Sequence, residues 1–209
     1  MKKQITITVP TDWSAVSLKK YIQLQKDIET YKDNEDAVTA VLFHHLCEVG
    51  ADVVQRLDIQ TFQNISLDLG RFMNKTDYPL QKIIKIGDIE YGFEPNLSEM
   101  AYGAYVDLSK YETLKLDEKW AEAMSILYRP VTKKMGEFYD IRPYEGMVLG
   151  EPFLDVPMDV HFGAMGFFFS ILKDVQKGIL NSLSQMKEVP PSILSILEEN
   201  GRATQLFTN

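Results

Sequence analysis

Apolar residues along this chain recur mostly at helical spacing, with strand spacing in two short places. Residues 4–9 alternate, with Ile5, Ile7 and Val9 on one face and Gln4, Thr6 and Thr8 on the other. That is the pattern of a half-buried strand. Pro10 ends it. Ser17 then stands where a helix cap should be, before the amphipathic run 18–31, in which Leu18, Tyr21, Ile22 and Ile28 share a side. Asn34 caps a second helix, stopped by Gly50, with Val38, Val41, Leu42, His45 and Leu46 turned inward. Asp58 caps a third, with Ile59, Phe62, Ile65, Leu69 and Phe72 as its inner stripe.

Strand spacing returns at 83–93. Ile83, Ile84 and Ile86 lead into Gly87-Asp88, and Ile89, Tyr91 and Phe93 return. Gly at the first of two turn positions favours a type II′ hairpin. Asn96 or Ser98 opens the next helix through 99–111, and "TLKL" connects it to one capped by Asp117, with Trp120, Ala123, Met124 and Leu127 on its inner face. Arg129-Pro130 stops that helix, since proline cannot continue it and restricts the residue before. Residues 131–144 read as a loose hairpin or an ordered loop, and 145–157 as loop. A long helix is expected over 158–186, capped by Asp155 or Asp159. Pro190-Pro191 breaks the chain before a short helix at 192–201 and a frayed tail. The fold class is mainly α within α+β: a helical bundle with a small antiparallel β-hairpin, or a three-stranded sheet if the N-terminal strand joins it. The chain reads as a single domain over 1–209, or as two lobes meeting near 76–95.

Composition narrows the partners. Of the 209 residues 45% are hydrophobic and 25% charged, ordinary values for a globular protein with a sizeable core. The net charge of -8 repels nucleic acid unless a basic patch is segregated. The best cluster, Arg129, Lys133, Lys134 and Arg142, is diluted by Glu137, Asp140 and Glu145. Cys47 is the only cysteine, so no intramolecular disulfide forms, which fits a reducing cytoplasm. The first residues do not have the pattern of a signal peptide. The most apolar run, Phe162 to Leu172, has the length of a core helix and not of a membrane span.

Candidate chemistry is sparse. The sequence has no phosphate-binding glycine loop, no HExxH and no GxSxG. His44 and Cys47 are three apart on one helix, but zinc needs further ligands and no second cysteine exists, so no metal is expected. Asp155, Asp159 and His161 lie close together, and a carboxylate–histidine pair can move protons. Asp159 also stands at the start of a helix, where the helix dipole favours an acid by about 0.3–1 kcal/mol. No nucleophile accompanies the pair, so no catalytic residue and no cofactor are assigned. Gly163 and Gly166 leave small positions where a neighbouring helix can approach. Phe167, Phe168 and Phe169 point in three directions, so their helix is either central or offers one ring to a partner. The stretch "ILYRPVTKKMGEFYDIRPYEG", 126–146, interleaves tyrosines and arginines. Pairs such as Arg142–Glu145 and Arg129–Asp140 would pin it as a loop; the same residue types serve as binding hot spots.

The order of several segments resembles a known family. "TVPTDWSAVSLKKYIQLQK" precedes the hairpin, and "GFEPNLSEMAYGAYVDLSKY" follows it. "LYRPV", "RPYEG" and "PMDVHFGAMGFF" come next. Over about residues 5–200 this resembles small proteins from the structural-gene region of tailed bacteriophages, described as tail assembly chaperones or structural-module proteins. The resemblance implies a non-enzymatic binding protein. It would coat the tape-measure protein in the host cytoplasm while tail-tube subunits polymerise, self-associate reversibly and then leave. The other role it implies is that of a virion structural protein, an adaptor or packaged internal component. A frameshifted longer form would also suit the family. Residue chemistry selects Tyr128, Arg129, Arg142, Tyr144, Phe167 and Phe168 as partner-binding candidates, with neither nucleic acid nor membrane expected as partner.

Overall fold

Four polar side chains start the main helices in the positions the sequence suggests. In the computed structural model, which describes residues 6–96, 99–111 and 116–168, the helices are α1 (Leu18–Tyr31), α2 (Glu35–Cys47), α3 (Ala51–Val54), α4 (Ile59–Met73), α5 (Tyr102–Ser109) and α6 (Glu118–Leu127). A seventh, α7, covers 158–168. Ser17 accepts the Lys20 N–H, Asn34 that of Ala37, Asp58 that of Thr61, and Asp117 those of Lys119 and Trp120. Such a cap is worth about 1 kcal/mol. The expected helix to 186, the Pro190-Pro191 break, the 192–201 helix and the tail lie outside the described residues. So do Ile5, Ser98 and most of the "TLKL" connector.

Some boundaries differ from the pattern reading. Helix α2 ends at Cys47, because Glu48 turns left-handed at φ 58° and its N–H closes onto the Phe43 carbonyl. Gly50 instead precedes α3, a single turn that hydrophobic spacing does not reveal. The buried residues of α2 are Phe43, Leu46 and Cys47, so its inner face is rotated from the expected one. Helix α5 begins only at Tyr102, with no side-chain cap. Ile59 is 77% exposed, and only Leu69 and Phe72 of the α4 stripe are buried.

The sheet has four strands, β1 (Ile83–Ile86), β2 (Ile89–Phe93), β3 (Tyr128–Met135) and β4 (Phe138–Ile141), antiparallel in that order. Gly87 carries φ 58° at the β1–β2 turn and Gly136 φ 60° at the β3–β4 turn. The expected N-terminal third strand is absent among the described residues 6–10. Its place beside β2 is taken by β3, which follows α6 directly. Pro130 explains the switch: it biases Arg129 toward extended backbone, so the residues that stop the helix also start a strand.

Two aromatic clusters fill the core. Trp13, 1% exposed, lies 4.3 Å from Phe72, 5.6 Å from Tyr21 and 5.5 Å from Phe162 between ring centroids, joining α4, α1 and α7. Tyr128 lies 5.1 Å from Phe93 and 6.4 Å from Phe153, tying the sheet to a 3-10 turn at Glu151–Asp155. Burying one such side chain is worth roughly 1.5–3 kcal/mol. Two backbone bonds, Leu18 N–H to Val156 O and Met158 N–H to Val16 O, join the start of α1 to the start of α7. By internal packing the chain forms two units, 1–166 and 167–209, so both strands of the 76–95 region lie inside the first. Only Phe167 and Phe168 of the second are described.

Gly163 meets a backbone segment and not a neighbouring helix. A Cβ there would lie 2.4 Å from the Pro79 carbonyl oxygen, whereas one at Gly166 would meet nothing within 4 Å. Gly163→Ala should therefore destabilise the fold by about 1–3 kcal/mol through overpacking. Gly166→Ala should be neutral or stabilise by up to about 1 kcal/mol through helix propensity. Urea unfolding of both variants checks this, and equal midpoints would remove the close approach.

Candidate functional site

The α6–β3 junction places the first two candidate residues. Tyr128 is 1% exposed and its hydroxyl donates to the Gln81 carbonyl at 2.6 Å. Arg129 stands opposite Gly92 in the ladder, so its diagonal neighbour on the same face is Glu94. The two form a buried ion pair. The expected Arg129–Asp140 pair is not made, because Asp140 stands opposite Lys133, farther along β3. The Arg129 Nε is buried and has no hydrogen-bond partner. The Tyr139 ring covers Gly92, where a Cβ would come within 2.5 Å of it, and its hydroxyl donates to the Phe93 carbonyl at 2.8 Å.

The chain leaving β4 places the next two. The Arg142 N–H donates to the Pro130 carbonyl at 2.8 Å, which fixes the backbone of an otherwise exposed residue. Its guanidinium makes no hydrogen bond or ion pair among the described residues, so the expected Arg142–Glu145 pair is also absent. Tyr144 donates its hydroxyl to Asp107 on α5, whose carboxylate also meets Lys110 Nζ at 2.6 Å. Burial first, and then the Asp107 bond, push Tyr144 up to about 12. The same bonds hold Asp107 below its ordinary value, Lys110 contributing most. Farther on, the Leu149 N–H donates to Ser125 Oγ on α6 at 3.1 Å.

These segments enclose a cleft of about 160 Å³. Tyr128, Arg129, Arg142 and Tyr144 all line it, together with Met147, Leu149 and Phe153 among others. Phe167 and Phe168 belong to the second unit and are not part of this lining. The loop residues Met147 and Leu149 escape a sequence reading because they show no periodicity; two apolar residues amid Gly and Pro in "EGMVLGEPF" are the available hint. Asp107 escapes it because it lies on another element.

Asp159 and His161 do not pair with each other. His161 is fully buried, with Nδ1 3.1 Å from Trp120 Nε1 and Nε2 3.2 Å from the Phe153 carbonyl. Indole N–H only donates, so Nδ1 accepts and Nε2 carries the proton and donates to Phe153. Burial lowers this histidine to about 4, against weaker opposing bonds. Asp159 accepts from Gln81 Nε2 at 2.8 Å, and its Oδ1 is buried with no hydrogen-bond partner. It lies in the first turn of α7 and Pro157 precedes the helix, so neither Asp155 nor Asp159 is the cap. On α2, His44 is exposed, Cys47 is buried with its thiol pushed up by burial, and His45 meets Asp27 at 2.7 Å. Among the described residues no group of three or more His, Cys, Asp or Glu is placed to hold a metal ion. No described helix is long and apolar enough to cross a membrane.

The histidine gives a pH test. Unfolded, it titrates near 6.5; folded, near 4. Between those values the unfolded chain binds a proton that the folded chain refuses, so stability falls as pH falls through this window, by roughly 3 kcal/mol in all. Asp12, lowered to about 2 chiefly by its bond with Lys75, acts only below 3.8 and does not overlap. Urea midpoints from pH 7 to 4.5 should decline in the native protein and decline less in His161→Gln. Parallel declines would exclude the lowered titration of His161 in the folded chain.

No family model matches the chain, and neither the curated proteins nor the solved structures include one that matches it.

Proposed function

We propose that this chain is a non-enzymatic assembly protein of a tailed bacteriophage, a tail assembly chaperone that binds the tape-measure protein in the host cytoplasm. The carrying observation is the cleft. It gathers residues from "LYRPV" and "RPYEG", two of the segments behind the phage resemblance, around an arginine with no ion pair among the described residues and an exposed apolar rim. Met147 is 67% exposed and Leu149 57%. Tyr102 and Tyr105, 81% and 62% exposed, stand three apart on α5 as further aromatic surface open to a partner. An amphipathic partner helix would use such a surface through residues at i, i+3, i+4 and i+7. Excess negative charge would keep the free chaperone dispersed.

The test is where the protein is found. A tagged copy in infected cells should co-purify with the tape-measure protein or with the tail-tube protein before tails are complete. Mass spectrometry of purified virions should find it absent. Abundant copies in mature particles would overturn the chaperone reading in favour of a virion structural protein.

A further inference from the structure

We infer that the cleft takes one aromatic side chain of a peptide partner, with an acidic group beside that ring held by Arg142. This rests on the protein-binding reading above and specifies what the partner must present. Size is the first argument. The cleft measures about 160 Å³; a cavity of about 150 Å³ accommodates a benzene ring. A whole helix does not enter it, but one ring does.

The lining is the second argument. Tyr128 and Tyr144 line the cleft, yet both hydroxyls already donate elsewhere, to the Gln81 carbonyl and to Asp107. Their hydroxyl protons are already spent, so toward a ligand they offer ring surface and an accepting oxygen but no donor. Phe153 is 2% exposed, and Met147 and Leu149 stand largely uncovered at the rim. The apolar part of these walls suits a ring, while Ser125, Glu145 and the two arginines form the polar part of the lining.

Charge is the third argument. Two arginines line the cleft. Arg129 is matched by Glu94 in a buried pair. Arg142 has no ion pair among the described residues, and Glu145, the carboxylate in the lining, does not engage it. A guanidinium in that position recruits a carboxylate through charge-assisted hydrogen bonds. The chemistry that completes the cleft is an aromatic ring with a carboxylate within reach of it, as on neighbouring aromatic and acidic residues of a peptide.

Three small probes separate the contributions: 3-phenylpropionate, 3-phenylpropionamide and 2-phenylethylamine, titrated into the full chain and followed by heteronuclear NMR. The acid should shift resonances of Arg142, Tyr144 and Leu149 and bind about tenfold better than the amide, with the amine weakest. Arg142→Gln should bring the acid to the level of the amide. Leu149→Asn should weaken all three. Both residues are exposed, so circular dichroism and urea midpoints should match the native protein. Equal binding of acid and amine, shifts away from the cleft, or an unchanged preference in Arg142→Gln would overturn the inference. The two readings fail separately. Arg142→Gln capturing the tape-measure protein as well as the native chain does would overturn this inference and leave the chaperone reading standing. Phenylpropionate filling the cleft while the native chain captures no tail protein would do the reverse.

Discussion

Helix α6 becomes strand β3 without a loop between them, and most of the fold is hung on that joint. Leu127 is the last helical residue, and Tyr128 already has the extended angles φ -108°, ψ 119°. A loop would let the helix and the sheet rotate independently; this join does not. Within ten residues the chain supplies the Trp120 bond to His161, the Leu127 carbonyl that accepts the Glu94 N–H at 2.8 Å, the Tyr128 bond to Gln81 and the Arg129 pair with Glu94. The first reaches α7, the second and fourth reach the end of β2, and the third reaches the segment before β1. A change in the angle at 127–128 would strain all four together.

The Arg129–Glu94 pair sets the register more than it adds stability. Removing two charges from water costs several kcal/mol, which their attraction only partly offsets. Losing one partner would leave the other charge buried alone. The pair is satisfied only when Arg129 stands opposite Gly92, the one β2 position in that pairing without a side chain. A slip by one residue would turn Arg129 to the face where Tyr128, Phe93 and Phe153 pack, which cannot take a charge. Tyr139 lying over Gly92 closes the arrangement from the β4 side.

The helices were legible because their signals are local. A cap is one polar residue before an apolar stripe, and Ser17, Asn34, Asp58 and Asp117 each behave so. The first hairpin was legible for the same reason, from alternating isoleucines around Gly87-Asp88. The second hairpin has the same Gly-X turn at Gly136-Glu137, but Thr132, Lys133, Lys134 and Met135 are all exposed, so β3 shows no apolar alternation there. Ion pairs were the least legible. Arg129 could be matched to nearby Asp140 on spacing alone, whereas its partner lies 35 positions away and is fixed by strand register. The candidate site was legible in part: four residues converge because two hairpin strands and their exits converge, while Met147 and Leu149 arrive on a loop without period.

Burial moves the titration of three groups in or near the cleft away from neutrality. A general acid or base works best with a pKa near the operating pH. Here burial moves the groups away from neutrality in opposite directions: His161 down to about 4, Tyr144 up to about 12 and Tyr128 higher still. At neutral pH all three are therefore held uncharged. His161 receives a bond from Trp120 and gives one to Phe153, Tyr128 donates to Gln81 and Tyr144 to Asp107. The bonds made by Tyr128, Tyr144 and Phe153 tie the cleft lining to the segment before β1, to α5 and to α7. Groups already bonded in this way have less conformational freedom left to lose on binding. Arg142, on the chain just past β4, contributes charge at the mouth without giving up any of those bonds. The stretch 126–146 thus separates two tasks, with its first half building the joint and its second half bringing Arg142 and Tyr144 to the cleft.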